Sequence, residues 1–84
     1  MHEWDAVDYV NKIRKMLEGE LLGTIFVTVT VDDALLIEIK NRDLSYRTCL
    51  PNFTERINSD VRYIDIVYQT LWDYKSFIAR KFFK

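Results

Sequence analysis

The sequence predicts an α+β domain: an N-terminal helix, a three-stranded antiparallel meander, then a short helix and a long C-terminal helix packed with the first on one sheet face. Three observations predict it. Apolar residues recur at three- and four-residue spacing between Asp5 and Glu18, and again between Val61 and Phe83, which is the period of an amphipathic helix. Between Thr24 and Leu50 the period switches to two and β-branched residues dominate. The breaks inside that region are short enough only for hairpins, so successive strands run antiparallel.

In the first helix, Ala6, Tyr9, Val10, Ile13, Met16 and Leu17 form one apolar stripe, with Asp8, Asn11, Lys12 and Lys15 opposite. Asp5 suits the N-cap, Trp4 before it is placed to pack on Tyr9, and Gly19 supplies the stop.

The first strand alternates Ile25, Val27, Val29 and Val31 with Phe26, Thr28 and Thr30. The second carries Leu35, Ile37 and Ile39 on one side, and the third, from Ser45 to Leu50, carries Tyr46, Thr48 and Leu50. Facing parity constrains the loops, because a one-residue slip turns every side chain to the other face. Position 31 is expected opposite 35, across an odd loop Asp32-Asp33-Ala34. Ile39 is expected opposite Tyr46, across an even loop around Asn41, Arg42 and Asp43. The far face then carries Phe26, Thr28, Thr30, Leu36, Glu38, Lys40, Ser45, Arg47 and Cys49, with Glu38 between Arg47 and Thr28.

Pro51 cannot continue a ladder. Asn52 followed by Glu55 resembles a helix start, giving a short helix over Phe53–Ile57, and Asn58-Ser59-Asp60 interrupts it. On the last helix Val61, Ile64, Val67, Tyr68, Leu71, Ile78 and Phe82 form the expected core stripe. Tyr63, Ile66, Thr70, Tyr74 and Phe77 form a second line around the axis. Either the first helix covers that second line within the monomer, or it is a protein interface whose aromatics act as anchors.

The chain has 84 residues, which is one domain spanning 1–84. Twelve Lys and Arg against 13 Asp and Glu give a formal charge of -1, which removes the simplest electrostatic case for nucleic acid, an anionic membrane or DNA mimicry. At 49% hydrophobic residues there is ample apolar surface to bury, so the chain is neither disordered nor a linker. So short a chain still has a marginal core. One cysteine and one histidine allow neither an internal disulfide nor a Cys/His zinc set, which leaves oligomerisation or a partner as the supplement. No basic-then-apolar leader opens the chain and no apolar run is long enough to span a bilayer, so the cytoplasm is the expected compartment.

Little points to catalysis. Gly19-Glu-Leu-Leu-Gly23 lacks the Lys-Ser/Thr ending of a phosphate loop. Asp32 and Asp33 could be an acid/base or metal pair, but aspartates favour turns through local hydrogen bonds. Cys49 has no histidine to activate it, and a strand cysteine is more often simply packed. The expectation is no enzyme, no cofactor and no metal.

Surfaces offer more. Phe26, Leu36, Glu38 and Arg47 make the sheet's far face a candidate binding surface, against the ordinary reading of a solvated face with one ion pair. Arg62, Lys75, Arg80, Lys81 and Lys84 make the C-terminal helix a candidate nucleic-acid contact, although the macrodipole favours cations at a helix C-terminus in any case.

The α-β-β-β-α order resembles that of double-stranded RNA-binding domains. Their Lys-Lys-x-Ala-Lys motif is replaced here by Asn58-Ser-Asp-Val-Arg-Tyr63, so the likeness stops at topology. The α-β-β-β-α-α order also looks like that of some small anti-CRISPR proteins, and the short, aromatic-rich, Cys-poor chain is similar to small proteins of phages and mobile elements in Gram-positive bacteria. That resemblance implies a non-catalytic inhibitor or scaffold of a larger protein such as a bacterial defence nuclease, acting through the last helix or the open sheet face; a homodimer is expected separately, from the marginal core and the second apolar line of the last helix. The alternative function is a small nucleic-acid-binding regulator using the basic end.

Overall fold

The computed structural model describes residues 3–59 and 62–82. The chain folds in the order α1 (Glu3–Glu20), β1 (Thr24–Val29), β2 (Leu35–Asn41), β3 (Leu44–Leu50), α2 (Phe53–Asn58) and α3 (Tyr63–Phe82). The strands form one antiparallel sheet in the order β1-β2-β3, with helices against one face, so the α+β architecture is as the periodicities require. Ile13 and Leu17 of α1, Ile25 and Val27 of β1, and Leu35, Ile37 and Ile39 of β2 meet Phe53 of α2 and Ile66, Val67, Leu71 and Tyr74 of α3 in a single core. Each such side chain contributes about 1.5–3 kcal/mol of burial, which is what orders a chain this short.

The β2–β3 hairpin has the expected register, with Ile39 opposite Tyr46 and Glu38 opposite Arg47. Its two-residue turn, Arg42-Asp43, places Arg42 at φ 55°, as a primed turn demands of its first central residue. The β1–β2 hairpin departs from expectation. Its odd loop falls one residue earlier: Val29 pairs with Leu35, and Glu38 lies opposite Phe26 rather than Thr28. The cause is Thr30. Its hydroxyl accepts a hydrogen bond from the Ala34 N–H (3.2 Å), its carbonyl accepts from the Asp33 N–H (3.1 Å), and its own N–H donates to the Ala34 carbonyl (2.8 Å). Asp33 takes φ 58° to close this turn, and Val31, expected in the core, is fully solvent-exposed at its tip.

Two helix boundaries also move. α1 has begun by Glu3, so Asp5 lies inside it and is not its N-cap, and it continues past Gly19 to Glu20. The contact expected between Trp4 and Tyr9 lies outside the described side chains. The glycine that the chain needs is Gly23, at φ 111°, where a Cβ would collide with the Lys40 carbonyl oxygen across the sheet.

At α2, Asn52 has left-handed backbone angles and its side chain makes no capping bond. The cap comes from the other end of the core. The Asp33 carbonyl accepts from the Phe53 N–H at 2.8 Å, and its carboxylate accepts from the Thr54 N–H at 3.2 Å and the Thr54 hydroxyl at 2.7 Å. The aspartate expected in a turn therefore closes the turn and also holds α2 against the sheet.

Candidate functional site

α3 lies in the corner between α1 and the sheet, and that position decides which of its faces is free. The line Tyr63, Ile66, Thr70, Tyr74 and Phe77 is covered within the chain. Ile66, Thr70 and Tyr74 are buried, while Tyr63 and Phe77 are half-buried against the core. Tyr46 of β3 stacks on both Tyr74 (5.6 Å between ring centroids, 12° between planes) and Phe77 (5.3 Å, 17°). At the other end Tyr9 of α1 meets Tyr63 and Phe53 edge-on, at 6.1 and 5.7 Å. Such pairs contribute about 0.5–1.5 kcal/mol beyond their area. These five residues pack α3 against its neighbours within the chain, the first of the two alternatives the sequence leaves open, with Ile66, Thr70 and Tyr74 buried and Tyr63 and Phe77 half-buried.

Turning that line inward turns others outward. Residues two apart on a helix point about 160° from one another, so burial of Thr70 directs Trp72 into solvent. Trp72 is 71% exposed and Tyr68, one turn earlier, is 62% exposed. Tyr68 and Phe82, expected in the core, are exposed, and Val61 lies outside the described residues. Beside the Tyr68–Trp72 pair, the Gln69 amide donates to the Asp73 carboxylate at 3.0 Å, and Arg62 pairs with Asp65 at 3.2 Å. The aromatic pair is thus flanked by polar groups already engaged with one another.

The uncovered sheet face carries the residues expected there. Arg47 donates to Glu38 at 3.0 Å, and the Lys40 ammonium lies 6.0 Å from the ring of Phe26, which is 53% exposed. Leu36 is half-buried opposite Cys49, a free, exposed thiol. An exposed pair of this kind contributes about 0.2–1 kcal/mol, and the face reads as a solvated one with a single aromatic raised above it.

The basic residues of the last helix do not converge. Arg62 is held by Asp65, and hydrogen bonding to that carboxylate raises its pKa. The Lys81 ammonium lies 5.8 Å from the Phe77 ring, Lys75 points roughly 140° from Arg80 around the axis, and Lys84 lies outside the described residues. Among the described residues no group of three His, Cys, Asp or Glu side chains stands close enough to hold a metal ion, and no helix is long and apolar enough to cross a membrane.

Among the described residues, two of the open clefts have apolar walls. One, about 380 Å³, lies where Ala6, Val7 and Val10 of α1 face Val27 and Val29 of β1, with Phe53 at its end. The other, about 570 Å³, brings exposed Leu22 and Phe82 beside Arg42 and Lys81. The feature missed in the sequence is Trp72. Its signal was available in the helical geometry, since an inward Thr70 forces it outward. No known protein family, curated protein or solved structure matches the chain.

Proposed function

We propose that the chain is a non-catalytic protein-interaction module that docks through the solvent face of α3, with Tyr68 and Trp72 as anchors. One observation carries this reading: two large amphipathic aromatics stand one turn apart, more than half exposed, in the middle of a helix whose other large apolar residues are buried or half-buried, Phe82 at its C-terminal end excepted. Tyr and Trp dominate binding energy at protein interfaces, because each brings a large rigid area and a polar tip at low entropic cost. Their adjacency on one exposed helix face favours a use for them outside the core. A bacterial defence protein is the class of partner suggested by the element order shared with small anti-CRISPR proteins.

The test is affinity capture with three proteins: wild type, Tyr68→Ala/Trp72→Ala, and Phe26→Ala/Arg47→Ala. A partner bound by wild type and by the sheet-face variant, but lost by the helix variant, supports the reading. Loss with the sheet-face variant alone transfers the function to that face. The rival regulator predicts oligonucleotide binding that weakens steeply with salt and with Lys75→Glu/Arg80→Glu, and it is removed if low salt gives no binding.

A further inference from the structure

We infer that the free edge of β1 is a homodimer seam, pairing antiparallel with β1 of a second copy about a two-fold axis at Val27. This inference is independent of the docking role of Trp72, which lies on α3, away from the β1 edge.

The backbone carries the argument. The Thr30–Ala34 hydrogen bond fixes the phase of the β1–β2 ladder. In an antiparallel ladder the bonded pairs alternate, so Thr24, Phe26 and Thr28 bond to β2. Ile25, Val27 and Val29 direct their N–H and C=O groups away from the sheet, and among the described residues those groups bond to no other backbone. Such an edge accepts only an extended strand.

The choice of a second copy comes from sequence and register. Natural edge strands are blunted by charge, proline or a bulge. β1, Thr-Ile-Phe-Val-Thr-Val, has none of these, whereas the β3 edge carries Arg47 at its centre. Two uncharged strands meet with no like charges opposed. With the axis at Val27, Ile25 pairs with Val29 of the second copy and Val27 with Val27. Every outward group on both edges is then satisfied, and any other symmetric register leaves some unpaired. On the helix side the seam would be flanked by the apolar cleft walled by Ala6, Val7 and Val10, where Val7 is 56% exposed. A small domain with a marginal core gains most from such pairing.

The experiment is light scattering after size exclusion across a range of concentrations, with amide hydrogen exchange on the same samples. The expected result is a dimer at high concentration, with the Ile25, Val27 and Val29 amides at least about tenfold better protected than in dilute protein. Val29→Pro removes only an outward N–H and spares the β1–β2 ladder, so it should give a folded monomer. Val29→Lys, judged by circular dichroism, decides the matter if the proline variant does not fold. A monomer at every concentration with fast exchange at those three amides overturns the inference. So does a dimer that persists in the folded variant, or protection that arises only when a foreign protein is added.

Discussion

The hydroxyl of Thr54 donates a 2.7 Å hydrogen bond to the Asp33 carboxylate, joining the first residue pair of α2 to a hairpin loop 21 positions earlier in the chain. Together with the Thr54 N–H bond to the same carboxylate and the Phe53 N–H bond to the Asp33 carbonyl, it secures the helix start that the Asn52 side chain leaves uncapped. Asp33→Ala should cost about 1–2 kcal/mol, by losing the cap and by forcing alanine into left-handed angles. Asp33→Gly should cost less, because only the cap is lost. Urea unfolding of both, with Thr54→Ala in a double-mutant cycle, checks the coupling; independent effects of Asp33 and Thr54 would contradict it.

Arg42 sits at φ 55° in the β2–β3 turn. Glycine meets that geometry without the Cβ clash, so Arg42→Gly should raise stability by about 0.5–1 kcal/mol. Gly23→Ala should do the opposite, since its methyl would collide with the Lys40 carbonyl oxygen. Thermal midpoints of the two variants should move in opposite directions.

The two aromatic faces of α3 differ in their sensitivity to truncation. Tyr74→Ala removes a buried ring from the stack with Tyr46 and should cost about 3 kcal/mol. Trp72→Ala removes an exposed ring and should change stability by less than about 0.5 kcal/mol. Similar losses at the two positions would place Trp72 in the core and remove the candidate site.

Burial, reinforced by the charge of Asp65 and opposed by Arg56, raises the Tyr9 pKa above its ordinary 10.0. The folded state therefore holds the phenol proton more tightly than the unfolded chain. The associated stability is intact below pH 10 and is lost as pH rises through the folded-state pKa. Tyr9→Phe should unfold in urea with a shallower decline between pH 9 and pH 11.5 than wild type. An equal decline would show that Tyr9 does not contribute to the alkaline loss.

Most of the fold was legible in the residues, and the departures share a cause. Parity and a two-residue turn fixed Ile39 opposite Tyr46 because both are local properties. The β1–β2 loop slipped because Val31 has the propensity of a strand residue, while the side-chain bonding that makes Thr30 a turn residue has no hydrophobic signature. The cap on α2 was invisible because it comes from Asp33, far away in sequence. On α3, the apolar residues span too wide an arc for one neighbour. Packed on the sheet alone, the stripe would centre near Leu71 and include Tyr68. Adding α1 as a second neighbour moves the centre toward Thr70 and Tyr74, which exposes Tyr68 and Trp72.

Site-specific photo-crosslinking tests the central claim most directly. Benzoylphenylalanine would be placed at position 72, and in separate samples at positions 68 and 26, in cells that naturally contain the protein. The docking role of α3 predicts one discrete adduct shared by positions 68 and 72 and absent at 26. An adduct at 26 alone, or none at 68 and 72 in correctly folded protein, would contradict it.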